Sequence, residues 1–317
     1  YNCSKLTAVP LLDTSNGTSF SYMFQNSTSL TTIPLLDTSN GTNFSYMLGG
    51  CSGLIDVPLL DTSNGTSFSY MFQNSTSLTT IPLLDTSNGT NFSYMLGGCS
   101  GLIDVPLLDT SNGTSFSYMF QNSTSLTTIP LLDTSNGTNF SYMLGGCSGL
   151  IDVPLLDTSN GTSFSYMFYN CSKLADVPEF HFENGIDFAF TFNNCKEIVT
   201  LPVLNTQKGT NFTNAFLSCN KLKTIEGINL TNLASNYAIF YYPLTHIIFN
   251  GSLGKRFGGT PSYSLENIDT ESVNSMIAAL VDYTGESSAN LKLYSNIKNA
   301  LTEEQIAAIT AKNWTIS

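Results

Sequence analysis

The sequence repeats itself every 24 residues, and nothing else in it constrains the fold so tightly. Pro10, Pro34, Pro58, Pro82, Pro106, Pro130, Pro154, Pro178 and Pro202 mark the period. A longer unit of two periods lies over it, because residues 10–57, 58–105 and 106–153 are identical. A constant period in this range builds a solenoid, since no single coil can bury its apolar side alone. The columns of the array show what is buried. One runs from Leu6 through Leu30 and Leu54 to Leu222, and a second from Val9 through Ile33 to Ile225. A third is Phe at every step from Phe20 to Phe212, and in a fourth Phe24 gives way to Leu48 and returns. Such columns become ladders of like side chains in a stacked core.

Each coil reads as a short strand, a turn, a helical turn and a second turn. In "LTTIPLL" the expected inward residues are Leu30, Ile33 and Leu35. Pro34 has no N–H to give a ladder, so the strand is expected to span only about three residues. "DTSNG" is turn chemistry: Asp13 and Asn16 bond nearby backbone, and Gly17 is expected to supply a positive φ. In "TSFSYMF", Phe20, Met23 and Phe24 fall at i, i+3 and i+4, the spacing of one helical face.

The period fails after Ile225. The boundaries read from the sequence are a solenoid over 1–226, degenerate terminal coils over 227–264 and a small α/β capping module over 265–317. In the last, "DTESVNSMIAALVDYTG" predicts an amphipathic helix with Val273, Met276, Ile277, Leu280 and Val281 on its apolar stripe and Gly285 as its stop. "LKLYS" predicts a strand, and Thr302 with Gln305 has capping-box spacing for a second helix. A solenoid end exposes a raw apolar layer, which this module is expected to cover. The chain opens in mid-repeat with "YNCSKL", so more protein is expected upstream.

With these residues in hand, the pattern C-S-x-L-x-x-V-P-x-L-D-T-S-N-x-T-x-F-S-Y-M-F resembles the BspA-like leucine-rich repeat family of bacterial surface proteins, over about residues 1–226. Gly17 and its equivalents depart from that pattern, where an apolar residue such as Val is expected. The resemblance implies a right-handed solenoid on a bacterial or bacteriophage exterior, used for adhesion or host recognition. The carboxyl-terminal module is more loosely similar to the corresponding segments of leucine-rich-repeat proteins of gut bacteria and their phages. The fold class is thus α/β: a right-handed leucine-rich-repeat-like solenoid of nine to ten 24-residue coils with a small helical cap.

Charge narrows the function. The net charge is −12, and no Lys or Arg occurs between Lys5 and Lys173. Binding phosphate backbones or anionic lipid needs clustered bases, so nucleic-acid and membrane-surface roles are poor fits. No apolar run of about 18 residues is present to cross a bilayer. Chemistry is equally sparse. His181 and His246 lack partners at ligand or triad spacing. Cys3, Cys51, Cys99, Cys147, Cys171, Cys195 and Cys219 share one column and read as buried free thiols, with a 147–171 or 195–219 bridge as the alternative. No cofactor and no enzymatic activity are expected.

Three rows remain as candidate contacts. Asp13, Asp37, Asp61 and Asp85 begin a column of like charges that the turn backbone can relieve; Ca²⁺ between coils is a weaker alternative. Tyr22, Tyr46, Tyr70, Tyr94, Tyr118, Tyr142 and Tyr166 alternate with inward residues and are expected to point outward or sideways; flat aromatic faces there would suit glycans or proteins. The strand face offers Thr31, Thr32, Asp56, Thr79, Thr80 and Asp104. The reading is a noncatalytic extracellular recognition rod, on a bacterial surface or virion tail. Its expected partner is a host-cell glycan or protein, or other subunits of a surface or tail assembly. The alternatives are a phage receptor-binding component and a structural spacer.

Overall fold

The structure is a computed structural model and describes residues 2–234, 239, 244–254, 265 and 267–317. Much of the degenerate stretch expected at 227–264 lies outside the described residues.

A stacked coil must hydrogen-bond to its neighbours, and the "FSYMFQN" stretch does so at every second residue. The N–H groups of Phe20, Tyr22, Phe24 and Asn26 donate to the carbonyls of Asn43, Ser45, Met47 and Gly49 in the next coil, at 2.8–3.0 Å. The intervening N–H groups close tight turns inside the coil, Met23 onto Phe20 and Gln25 onto Tyr22. The expected helical turn is therefore not formed. A helix consumes its own N–H groups, whereas this backbone keeps half of them for the ladder. Tyr22 at φ 60° and Asn26 at φ 58° make the reversal possible, and the same two columns hold positive φ up the stack. The inward face is nonetheless the one predicted: Phe44, Met47 and Leu48 are fully buried. Parallel bridges at Ser19, Asn43, Ser67, Asn91, Ser115, Asn139, Ser163, Asp187 and Asn211 tie the coils in sequence.

Side chains of the "DTSNG" turn add a second ladder. Thr38 Oγ1 donates to Asp61 O at 2.7 Å, and Asn40 Nδ2 to Ser15 O at 2.8 Å, with counterparts in later coils. The glycine of this turn does not take the positive φ expected of it. It is small because the phenylalanine ladder packs against it. A Cβ on Gly65 would lie 2.6 Å from Phe68 Cζ, 2.9 Å from Thr62 O and 3.0 Å from Phe44.

The strand segment also differs from expectation in one position. Leu35 is 63% exposed, and its neighbour Leu36 is buried at 2%. In some later coils a tight i→i+2 turn accompanies the slip: Leu84 N–H donates to Pro82 O and Leu132 N–H to Pro130 O, both at 2.9 Å. Leu60 and Leu108 are buried in the same way, so the second leucine points inward from coil to coil. Among the described residues of the stack, paired strands appear where the proline column ends. Strand β1 (Thr200–Leu204) pairs in parallel with β2 (Thr224–Ile228), which carries Glu226 in the proline's place. Strand β3 (His246–Phe249) follows β2 in the same sheet.

Among the described residues, the helices belong to the last part of the chain. Helix α1 (Thr270–Ala279) packs Val273, Met276 and Ile277 inward. It stops well before Gly285, because Leu280 turns extended and bridges Leu253. Lys312 Nζ donates to the carbonyls of Ile277, Ala278 and Leu280 at 2.9–3.0 Å, capping the helix end that the glycine was expected to close. Strand β4 (Ala289–Leu291) starts two residues before the predicted "LKLYS" strand and overlaps it only at Leu291, and helix α2 (Ser295–Ala300) starts at its last residue. Helix α3 (Glu303–Ala311) carries the predicted capping box of Thr302 and Gln305, and β5 (Trp314–Ile316) pairs in parallel with β4.

Helix α1 closes the sheet edge. Ile247 N–H donates to Ser272 Oγ at 2.8 Å, and Phe249 N–H to Ser275 Oγ at 3.0 Å. Two hydroxyls thus occupy the donors that another strand would otherwise take.

Candidate recognition surface

The tyrosine row is a column of stacked rings. Successive centroids from Tyr22 to Tyr166 lie 4.1–4.8 Å apart with interplanar angles of 6–12°. Phe190 continues the column at 4.5 Å. The ring faces are covered by one another, so the flat-face contact expected of Tyr46, Tyr70, Tyr94, Tyr118 and Tyr142 has no face left to offer. Edges and hydroxyls remain. Desolvation among the rings, followed by the neighbouring Tyr70, pushes the Tyr46 phenol up to about 12. Tyr94 and Tyr142 are raised by desolvation and by their own tyrosine neighbours. The row therefore carries no charge at neutral pH at these positions.

The aspartate column is held by its own turns. Asp61 Oδ1 accepts Ser63 N–H at 3.1 Å and Ser63 Oγ at 2.7 Å, and Asp13, Asp37 and Asp85 are bonded likewise to Ser15, Ser39 and Ser87. The serine hydroxyl first, and its backbone N–H second, lower the carboxyls of Asp13 and Asp61 below the usual range. Among the described residues, no group of three or more His, Cys, Asp or Glu is placed to hold a metal ion.

The cysteine column is a hydrogen-bonding column shared with serine. Cys99 Sγ donates to Phe72 O at 3.0 Å, and Ser75 and Ser123, one coil before and after it, donate in the same way to Leu48 O and Leu96 O. Cys51, Cys99, Cys147, Cys171, Cys195 and Cys219 are free thiols and buried, whereas Cys3 is exposed. Burial pushes the Cys99, Cys147 and Cys219 thiols up to about 12, which keeps them protonated.

The strand face carries the remaining candidates. Thr31, Thr32, Asp56, Thr79, Thr80 and Asp104 are all exposed. Sequence reasoning missed their neighbours. Leu35, Leu59, Leu83, Leu107 and Leu131 are 61–63% exposed, with Leu11 and Leu155 extending the row at either end. Ile55, Ile103 and Ile151 add apolar surface in alternate coils, where Thr31, Thr79 and Thr127 stand between them. The coils are tied to each other here, since Ile55 N–H donates to Thr31 O and Ile103 N–H to Thr79 O at 2.9 Å. In each of these alternate coils the chain crosses the face in the order Ile, Asp, Leu, Asp, as in Ile55, Asp56, Leu59 and Asp61. An apolar stripe thus runs along the stack between carboxylates. The sequence does not display directly which leucine of the pair faces out.

His246, read from the sequence as an unpartnered histidine, has a partner. Its Nδ1 lies 2.7 Å from Asp269 Oδ2, and Asp269 Oδ1 accepts Ser272 N–H at 2.8 Å and Ser272 Oγ–H at 2.6 Å. The serine hydroxyl points to the carboxylate and not to the imidazole, so this is a helix cap clipped to a strand and not a nucleophile with its base. The hydrogen bond that its imidazole gives to the Asp269 carboxylate raises His246 above its ordinary value. Burial opposes ionisation of Asp269, but its bonds to Ser272 and His246 win and hold it at about 2.

Coils stacked at a constant period on inward leucine, valine and phenylalanine columns define a repeat-solenoid protein. The chain belongs to the family described as "Mycoplasma protein of unknown function, DUF285", which matches residues 1–105, 103–202 and 157–247. Among solved structures it is similar to a leucine-rich cell surface protein from Faecalibacterium prausnitzii, at 14% identity and a TM-score of 0.31 over 73% of this chain and 76% of that one. It is also similar to a leucine-rich-repeat protein from Bacteroides ovatus, at 15% identity and a TM-score of 0.29 over 100% of this chain and 85% of that one. With scores of that size these likenesses carry no weight here; the fold stands on the chain's own intercoil bonds. No curated protein matches the chain. Among the described residues, no helix is long and apolar enough to cross a membrane.

Proposed function

We propose that the chain is a noncatalytic recognition rod of the BspA-like kind, displayed outside a bacterial cell, that docks a host-cell protein or glycan on its strand face. One observation carries this reading: the leucine row from Leu35 to Leu131 is more than half exposed on an otherwise well-buried repeat. Contiguous exposed apolar stripes of this kind mark contact surfaces, whereas singly scattered apolar residues do not. Repetition favours a ligand met at several coils at once, where weak contacts sum by avidity.

The test is an array of host-cell surface proteins and glycans probed with the intact chain and with a Leu83→Asn/Leu107→Asn/Leu131→Asn variant. These side chains lie outside the core, so the variant is expected to fold, with circular dichroism as the check. Binding that the variant loses supports the reading. Binding that both retain moves the site elsewhere, and an array blank for both overturns it.

A further inference from the structure

The strand face is specific in its chemistry as well as its exposure, and it points to one class of occupant; this inference rests on that face being the docking surface. Along Ile55, Asp56, Leu59 and Asp61 the exposed leucine lies between two carboxylates, and the motif recurs at Ile103 and Ile151. In the coils between, the leucine keeps one flanking aspartate, Asp37 beside Leu35 and Asp85 beside Leu83. No Lys or Arg occurs from residue 6 to residue 172, so the carboxylates of this stretch have no basic side chain of their own to meet. An apolar seam bordered by uncompensated negative charge is complementary to an apolar seam bordered by positive charge. A second copy of the chain does not fit, because it would bring the same carboxylate rows together on a molecule already at −12.

The spacing selects the shape of the partner. Leucines recur once per coil, about 4.8 Å apart along the stack. A helix lying along the stripe presents a side chain about every 5.4 Å, one per turn. It drifts by about 0.6 Å per turn, so three turns stay within about 2 Å of register. A β-strand repeats its face at every second residue, about 7 Å, and is out of step after one coil. The two-coil alternation of Ile and Thr, about 9.6 Å, lies close to the rise of about 10.5 Å from i to i+7 of a helix. We propose that the strand face binds a cationic amphipathic helix of three to four turns, its apolar residues at i, i+3/i+4 and i+7 seated on the leucine row and its Lys or Arg residues paired with the flanking aspartates.

The experiment uses the intact chain and three synthetic peptides, each long enough for about four helical turns. They are a Leu/Lys amphipathic helix, a scrambled peptide of the same composition, and the same helix with Glu for Lys. Titration is followed by fluorescence anisotropy at low salt and at about 0.5 M salt. The amphipathic cationic peptide is expected to bind at least tenfold more tightly than either control. High salt is expected to weaken that binding, because charges beyond a few ångströms are then screened. Leu83→Asn/Leu107→Asn/Leu131→Asn is expected to weaken it tenfold or more, and Asp56→Asn/Asp104→Asn/Asp152→Asn to remove much of its salt dependence. Equal binding of the scrambled peptide would overturn the helical register, and equal binding of the acidic helix would overturn the charge argument. If no peptide binds while the array of surface ligands still requires the leucine row, this inference fails and the recognition reading survives. If neither binds, both fail.

Discussion

At the scale of single residues, the left-handed backbone positions carry most of the information. Within the stack they fall in two columns, one of tyrosine ending in Phe190 and Asn214, and one alternating Asn26, Gly50, Asn74, Gly98, Asn122 and Gly146 before Asn170, Asn194 and Ser218 continue it. Asn and Gly are the two residues that enter this region most readily, so a column that alternates them announces its conformation. That signal was legible in the sequence, yet the constant glycine at Gly17 and its equivalents drew the expectation instead. Those glycines answer a space requirement, which no propensity rule reports. The two kinds should respond differently to substitution. Gly113→Ala puts a Cβ 2.6 Å from Phe116 Cζ and 2.9 Å from Thr110 O, and is expected to cost about 1–3 kcal/mol of stability as overpacking. Gly98→Asn keeps a positive φ that asparagine tolerates; its Cβ would overlap Asn74 Oδ1 and crowd Asn74 Cγ at 3.1 Å, so the Asn74 side chain must turn aside. Asn over Asn already occurs in this column, where Asn194 Nδ2 donates to Asn170 Oδ1 at 2.7 Å. The substitution is expected to cost less than about 1 kcal/mol. Urea titration of the two variants against the parent checks both; a Gly113→Ala protein as stable as the parent would remove the spatial reading of the glycine column.

At the scale of elements, the inward columns were readable because a solenoid multiplies each position by its number of coils. What was not readable is which leucine turns inward after the proline. Leu84, whose N–H bonds to Pro82 O, is in the core and Leu83 is on the surface, and the letters "LL" are silent about which goes where. The difference has a direct consequence. Leu84→Ala empties part of a sealed core and is expected to cost about 2–5 kcal/mol. Leu83→Ala, 61% exposed, is expected to stay within about 0.5 kcal/mol of the parent. Equal losses from both would contradict this placement. A second element-level device is the clip between β3 and the first turn of α1. His246 titrates above its ordinary 6.5, so its bond to Asp269 contributes fully below that value and is lost as pH rises through the raised one. Asp269 titrates at about 2 in place of 3.8, so its contribution is present above 3.8 and is lost as pH falls through about 2. Thermal stability is expected to be greatest between about pH 4 and 6.5 and to decline on either side. In His246→Gln the decline above pH 6.5 should disappear; melting curves across pH in the two proteins measure it.

At the scale of the whole molecule, a solenoid is a line of nearest-neighbour contacts, and its ends decide its behaviour as much as its middle. The need for a terminal cover was legible from the repeat itself. The helix that covers the end was legible in its apolar stripe, but the hydroxyls with which it meets the sheet edge were not. One trace of the period survives: Thr200, Thr224 and His246 are register partners, and Asp269 falls where a further coil would begin. Helix α1 therefore stands in the place of the next coil, and Asp269 N–H donates to Thr245 O at 3.0 Å as that coil's backbone would. Ser272 and Ser275 then supply acceptors where a strand's carbonyls would have been. Removing them should reopen the end. In Ser272→Ala/Ser275→Ala two backbone donors of β3 lose their partners, at about 1–3 kcal/mol for each that stays buried. A chain ending at Asn250 lacks the helix altogether and presents Ile247 and Phe249 N–H on an open strand edge. Open edges pair with other chains, so the truncated protein is expected to associate with rising concentration while the intact chain does not. Light scattering across a concentration series distinguishes them. A truncated chain that remains monomeric throughout would mean that something other than α1 protects the end of the stack.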